Sequence, residues 1–209
     1  MVDHKVCAVI LAAGTSSRMG AAKQLLRIKD KKLLEYVLEL VLEHSFEKVI
    51  VVLGHKAKEI KEGIDCASTR VCWVYNPDYR LGQSTSFVTA IDHIDSPFQS
   101  VMFFLGDQPF IESETVSTVL EEGRSRVREG SAPFVIRPIY DEKPGHPIYW
   151  GNFKKIDFST LTGDTGGRGL LQFVEKVNFV VKDRGILFDI DTLEDYQRAL
   201  QWVSQKVYF

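Results

Sequence analysis

Cysteine is scarce in this 209-residue chain: Cys7, Cys66 and Cys72 are odd in number and form no C-x-x-C pair. That excludes a disulfide framework and a cysteine-rich zinc site. Reduced thiols are expected, and Cys7, inside an apolar run, reads as a core residue because a buried free thiol behaves as a small hydrophobe. Long hydrophobic runs are also missing, none approaching the ~20 residues that span a bilayer. The opening MVDHKVCAVIL places charges before a short apolar run that continues into a glycine loop, unlike a signal peptide. A cytoplasmic chain with no membrane contact is the expectation. Surplus positive charge is absent too, with 26 Lys and Arg against 28 Asp and Glu and a net charge of -2. Proteins that grip nucleic acid along its backbone carry a basic excess, so nucleic acid is not an expected partner. A small anionic ligand in a local basic pocket fits this balance. There is no G-x-S-x-G elbow and no H-E-x-x-H pair, which leaves hydrolase readings without an anchor.

What is present is ordinary globular composition, 44% hydrophobic and 26% charged, enough for one domain with a substantial core. Short β-branched runs at Lys5 to Leu11, Lys48 to Leu53, Val71 to Tyr75, Val101 to Leu105, Phe134 to Ile139, Phe179 to Val181 and Ile186 to Ile190 read as strands. Between them Leu33, Leu34, Val37, Leu38, Val41 and Leu42 recur at helical spacing, and Thr115 to Val127 and Leu193 to Val203 are amphipathic. That alternation predicts an α/β fold, a mainly parallel central sheet flanked by helices. Pro133, Pro138, Pro144 and Pro147 punctuate the second half, and residues 138–176 read as an insertion or lid on a single domain spanning residues 1–209. Ligands of open α/β sheets bind beyond the carboxyl ends of strands, so the loops after strands carry the search for chemistry.

The first such loop runs from Ala12 to Lys23 as AAGTSSRMGAAK. Ala12, Ala13 and Gly14 allow close backbone approach, Ser16 offers a hydroxyl, and Arg18 and Lys23 supply positive charge for phosphate oxygens. Five residues separate Gly14 from Gly20, and Lys23 does not follow the second glycine directly, so the loop is neither a P-loop nor G-x-G-x-x-G. It reads as a polyphosphate cradle of another kind. Asp107 ends the strand Val101 to Leu105, where a carboxylate reaches the ligand face and suits Mg²⁺, a hard cation that takes one or two carboxylates plus substrate phosphates. A second carboxylate comes from Phe188-Asp189-Ile190-Asp191-Thr192. Strand alternation would put Asp189 and Asp191 on one face, and Asp191 also stands where the C-terminal helix needs an N-cap, with Glu194 three residues on. Ser84 reads equally as the N-cap of a helix after Gly82 and as a phosphate contact at that helix start.

The segment Leu11 to Lys23, L-A-A-G-x-S-x-R-M-G-x-x-K, resembles the signature of GT-A-like nucleotidyltransferases, a Rossmann-like fold. Its Ala-Ala-Gly form is similar to the molybdenum-cofactor cytidylyltransferase group. Asn76-Pro77 with Gly82-Gln83-Ser84-Thr85-Ser86, Gly106-Asp107-Gln108-Pro109 and Gly145-His146-Pro147 resemble three further segments of that group, and Gly163-Asp164-Thr165-Gly166-Gly167-Arg168 resembles its G-D-x-G-A-R with Gly167 in place of Ala.

The resemblance implies CMP transfer from CTP to the phosphate of molybdenum-molybdopterin, with pyrophosphate released and the product destined for a molybdenum hydroxylase. It implies Arg18, Lys23 and Asp107 as catalytic groups. The nucleotide would meet Leu11, Ala12, Ala13, Gly14, Ser16, Arg18, Lys23, Gly82, Ser84, Ser86 and Asp107. Gln108, His146 and Arg168 would meet the acceptor, and Asp107 with Asp191 or Asp189 would hold Mg²⁺, Asp191 being favoured by its place before Thr192. Two rivals remain: a nucleotidyltransferase for a sugar phosphate or other small acceptor, and a non-catalytic protein that binds and delivers the cofactor.

Overall fold

A computed structural model of the chain describes residues 4–16 and 19–205, without the side chain of Gln205. Arg18, expected among the catalytic groups, lies outside the described residues. The strands are β1 (Val6–Ala12), β2 (Arg27–Ile28), β3 (Lys31–Lys32), β4 (Lys48–Leu53), β5 (Val71–Tyr75), β6 (Ser100–Leu105), β7 (Phe134–Tyr140), β8 (Lys143–Pro144), β9 (Ile148–Gly151) and β10 (Glu175–Val180). The helices are α1 (Leu33–Leu42), α2 (Ala57–Gly63), α3 (Gln83–Asp92), α4 (Ser113–Glu129) and α5 (Leu193–Gln205).

The main sheet runs β10-β7-β9-β6-β1-β4-β5, with β8 paired to β7. β1 pairs in parallel with both β4 and β6, β4 with β5, and β7 with β10. β9 alone among these seven is reversed, pairing antiparallel to β6 and to β7. The sheet is therefore mainly parallel and flanked by helices, as the alternation of runs predicts. Chain order leaves β1 in one direction for β4 and β5 and returns on its other side at β6, so a topological switch point opens at the carboxyl ends of β1 and β6.

β1 has no exposed side chain from Val6 to Ile10, which is why it reads as an unbroken apolar run rather than an alternating one. Val6, Ala8 and Ile10 face one core with α1 and α4, while Cys7 and Val9 face a second with α3. Each fully buried Val or Ile contributes about 1.5–3 kcal/mol, so the strand that delivers the first loop is anchored from both faces. Burial also pushes the Cys7 thiol up to about 12, leaving it protonated. On α1, Leu33, Leu34, Val37, Leu38 and Val41 form the buried stripe, as their spacing predicts.

Two expectations change. Ile186 to Ile190 is not a strand: Arg184–Leu187 forms a 3-10 turn, capped where the Asp183 side chain accepts from Gly185 N at 2.8 Å. Local hydrogen bonding at an Asp-x-Gly overrides the β-branched pattern that follows. Residues 138–176 are also more than a lid, because β9 lies inside the sheet with Tyr149 and Trp150 almost wholly buried. Four residues between Pro147 and Asn152 are too short for a period to show in sequence.

Candidate active site

A cleft of about 660 Å³ opens at the switch point, lined by Leu11 to Thr15 after β1, Leu105 to Asp107 after β6, Gly82, Gln83 and Ser86 at the start of α3, and Lys23, Asp164 and Asp191. The two loops meet because Gly106 N donates to Leu11 O at 2.9 Å, and a Cβ on Gly106 would stand 2.8 Å from that of Ala12. Small residues at Ala12 and Gly106 are thus a packing requirement as well as room for a ligand. Gln24, buried, holds the first loop from below by donating to Ala12 O at 2.8 Å.

Lys23 is the electrostatic centre. Its ammonium donates to Asp107 Oδ2 at 2.5 Å and to Asp191 Oδ1 at 2.8 Å. Burial alone would lower its pKa, but the two carboxylates outweigh that and raise it, so the ammonium stays charged. Asp107 Oδ1 is buried and accepts no hydrogen bond among the described residues. An unpartnered carboxylate oxygen beside a second carboxylate fits a divalent cation. No group of three His, Cys, Asp or Glu gathers for a metal among the described residues, so this pair would need substrate phosphates to complete the shell.

Asp189 departs from the same-face expectation, since no strand carries it. Its Oδ1 accepts from Gln108 Nε2 at 2.7 Å, and burial, then the neighbouring charge of Asp107, push its pKa up to about 6. Gln108 itself is 2% exposed and also donates to Ile186 O at 3.2 Å. That places it as a brace between two chain segments rather than on the cleft wall. Asp191 is likewise not in the capping role with Glu194. The reciprocal pair is Thr192 and Asp195: Asp195 Oδ2 accepts from Thr192 N at 3.0 Å, and Thr192 Oγ1 accepts from Asp195 N at 3.1 Å. Asp195 Oδ2 also accepts from Asp191 N at 3.3 Å, which steadies the residue facing Lys23.

Ser84 is not an N-cap. α3 starts at Gln83 with Gly82 as its cap, and buried Ser84 donates from Oγ to Thr162 O at 3.1 Å, turned toward the 162–166 segment. The helix start is met by a protein carboxylate, with Gln83 N donating to Asp164 Oδ1 at 3.2 Å. Ser16 accepts from Lys23 N at 3.3 Å and so shapes the loop that carries the lysine. The N-P segment has a structural reason: buried Asn76 donates to Thr85 Oγ1 and Ser86 Oγ, both at 2.9 Å, tying the loop before α3 to its first turn. Sequence reasoning missed Gln24, Tyr79, Arg80, Gln83 and Asp164 on the cleft wall. Gln83 and Asp164 stood inside quoted motifs, whereas Tyr79 and Arg80 carried no sequence signal.

Gly82 has φ +113°, and a Cβ there would stand 2.3 Å from the carbonyl carbon of Gly163. Gly82→Ala is therefore expected to cost about 2 kcal/mol or more of unfolding free energy in urea titrations. A change below about 0.5 kcal/mol, the range of neutral surface substitutions, would mean that the two loops do not touch.

His146 and Arg168 line a slot of about 70 Å³ that shares Leu11, Gln83 and Leu105 with the cleft and is walled by Phe87, Phe103 and Trp150. Burial, reinforced by the Arg168 charge, lowers the His146 pKa to about 4. The ring is neutral at pH 7, which suits orientation of a substrate rather than delivery of a proton. A lowered folded pKa means the unfolded chain binds more protons between pH 4 and the ordinary value of 6.5. The resulting stability is present above 6.5 and is lost as pH falls through that window. His146→Gln should flatten the stability profile there by up to about 3 kcal/mol, read as urea midpoints at pH 4.5 and 7.5. Parallel profiles for the two proteins would refute this environment.

A profile described as the MobA-like NTP transferase domain matches residues 8–178. Bifunctional protein GlmU of Clostridium tetani is 29% identical over 142 residues, which are 67% of this chain and 30% of that protein. This chain thus spans under a third of that relative's length. Molybdenum cofactor cytidylyltransferase of Escherichia coli K12 is 25% identical over 191 residues, 91% of this chain and 93% of that one. Nicotine blue oxidoreductase of Paenarthrobacter nicotinovorans is 27% identical over 202 residues, 93% of this chain and 96% of that one. Among solved structures, Rv0371c of Mycobacterium tuberculosis H37Rv superposes with a TM-score of 0.76 at 25% identity, covering 96% of this chain and 100% of that one. A structure of Rv0371c in complex with manganese has a TM-score of 0.72 at 24% identity, covering 94% and 98%. With the profile covering well over half of its length, the chain belongs to the MobA-like NTP transferase domain family.

Proposed function

We propose that this chain transfers CMP from CTP to the phosphate of molybdenum-molybdopterin, releasing pyrophosphate. The observation that carries the reading is the Lys23 ammonium held between Asp107 and Asp191 at the switch point of the sheet. The end-to-end likeness to the Escherichia coli molybdenum cofactor cytidylyltransferase supports the choice of acceptor.

An acceptor phosphate oxygen attacks the α-phosphorus of CTP, one P–O bond forms, and the bond from the α-phosphorus to the bridging oxygen breaks as pyrophosphate leaves in line. The attacking phosphate is already ionised at neutral pH, so no protein base has to remove a proton. The chain's task is alignment and charge neutralisation. Lys23 neutralises phosphate oxygens, with Arg18 as a second cation. Leu11 to Gly14, Ser16 and the start of α3 from Gly82 to Ser86 shape the nucleotide side, with Ser16 and Ser84 acting through the loops they hold. His146 and Arg168 orient the acceptor beside the cleft, and Gln108 acts through the segments it braces. Asp107 and Asp191 would hold Mg²⁺, which supplies Lewis-acid stabilisation of the charge gathering on phosphate oxygens. Asp189 stands beside this pair as the alternative ligand. Residues 138–176 contribute the acceptor side through His146 and Arg168, and the recipient of the product is a molybdenum hydroxylase.

The test incubates the purified chain and Mg²⁺ with each of the four NTPs in turn and molybdenum cofactor. Pyrophosphate release with CTP is the expected result. Release only when a sugar phosphate replaces the cofactor would move the acceptor to that class. Cofactor binding without turnover, unchanged in Asp107→Ala, would make the chain a delivery protein.

A further inference from the structure

Asp183 is a buried carboxylate, 2% exposed, that lies outside the cleft wall. Its Oδ2 accepts from Glu112 N at 2.8 Å and from Thr115 Oγ1 at 2.9 Å, and its Oδ1 accepts from Gly185 N at 2.8 Å. Burying a carboxylate is expensive unless donors replace its water. Here two backbone N–H groups and one hydroxyl do so. All three partners donate, so the position calls for a group that only accepts.

The partners lie on two segments, and those segments carry the carboxylates of the site. Glu112 and Thr115 begin the helix that follows Asp107, and Gly185 opens the stretch that leads to Asp189 and Asp191. The same segments touch at Gly185, where a Cβ would stand 2.0 Å from Phe110 O. They are joined again by Gln108 Nε2 to Ile186 O at 3.2 Å and by Ile190 N to Asp107 O at 3.1 Å. Asp183 fastens the end of this seam farther along the chain from the cleft. Without it, the turn at residues 184–187 loses its cap and the start of α4 loses its tie, and the registry of Asp191 against Asp107 loses one of its fixed points.

We propose that Asp183 is a positioning residue that sets how Asp107 and Asp191 face each other, and through that spacing the affinity of the pair for a divalent cation. The inference rests on the reading of Asp107 and Asp191 as a cation site. Partners behind metal ligands typically change affinity about 10–100-fold when lost, and the effect expected here is at the lower end because Asp183 acts through backbone.

The test measures Mn²⁺ binding by electron paramagnetic resonance, in the presence of a non-hydrolysable CTP analogue, for the native chain and the variants Asp183→Asn, Thr115→Val, Asp107→Asn and Ile60→Val, with thermal midpoints for each. Asp183→Asn sets an amide N–H against a donor, and its Mn²⁺ affinity should fall about tenfold. Thr115→Val removes one donor at constant volume and should shift affinity the same way by less. It also carries the test if Asp183→Asn does not fold. Ile60, the fully buried residue of α2 and not on the cleft wall, loses a methylene and stability, and its Mn²⁺ affinity should not move. The inference is overturned if Asp183→Asn, or Thr115→Val in its absence, loses stability while Mn²⁺ affinity stays within twofold of native, or if Ile60→Val weakens Mn²⁺ as much. Native binding insensitive to Asp107→Asn would instead overturn the cation-site reading itself, and the inference with it.

Discussion

Asp107→Asn is expected to lower pyrophosphate release from CTP by about a thousandfold at saturating substrate, with little change in thermal midpoint. The substitution keeps shape and removes one charge. In the native chain Oδ2 receives the Lys23 ammonium, while Oδ1 is buried with no hydrogen-bond partner among the described residues. Leaving such an oxygen unpaired costs about 1–3 kcal/mol, a cost that a bound cation would offset. Removing one preorganised stabiliser of developing charge commonly loses 10²–10³ in turnover, and this position would lose its share of a metal as well. CTP binding measured in EDTA should change little, because Lys23 keeps Asp191 and remains charged. A rate loss below about tenfold, one RT ln 10 unit or 1.4 kcal/mol, would remove Asp107 from the chemistry.

Lys23→Met is expected to act in two opposite directions. Turnover efficiency with CTP should fall about 100-fold or more, because a fixed positive charge facing the phosphates is lost. Mn²⁺ affinity of the nucleotide-free protein should rise by about tenfold or more, because the ammonium at 2.5 Å from Asp107 and 2.8 Å from Asp191 no longer offsets the negative charge of the two carboxylates that would hold the metal. The variant also leaves two carboxylates facing each other. Asp107 is one-fifth exposed and Asp191 over two-fifths, so solvent screens part of that repulsion, and the folded state should lose only about 1–2 kcal/mol. Mn²⁺ should then raise the thermal midpoint of the variant more than that of the native chain, since a ligand that binds only the folded state stabilises by mass action. Equal Mn²⁺ affinities in the two proteins would show that this pair of carboxylates does not hold the metal.

The residues that were legible in sequence share a property: their signal is local. The run Val6 to Leu11 shows a strand buried on both faces, and the small residues after it show where a ligand approaches. Asp107 is legible because it ends an apolar run. Leu33, Leu34, Val37, Leu38 and Val41 repeat at the period of the face they bury. Of the readings that changed, some depend on partners far along the chain and others on a local hydrogen bond that residue pattern does not show. Ser84 read equally as a cap of the helix after Gly82 and as a phosphate contact, but its hydroxyl donates to Thr162 O, 78 residues away. Asp191 and Glu194 looked like a capping pair, but Thr192 and Asp195 sit one step on and form the reciprocal pair instead. Gln108, an acceptor contact by the resemblance alone, donates its Nε2 to Ile186 O and Asp189 Oδ1, a brace that no local pattern signals. β9 is short and lies between prolines and an asparagine, so only its hydrogen bonds to β6 and β7 mark it as an interior strand.

By itself the sequence determined the alternation of strands and helices from β1 to β6, the placement of a phosphate-suited loop after the first strand, and a carboxylate after another. These follow from periodicity and from residue chemistry within a few positions. Only the tertiary structure decided that Lys23 sits between Asp107 and Asp191, 84 and 168 residues away in the chain. It also decided that Asp183 and Gln108 lock together the segments that carry the acidic groups. The physical reason is that charge pairing and buried hydrogen bonding depend on distance in space, and a parallel sheet brings loops together at its carboxyl edge whatever their separation in sequence.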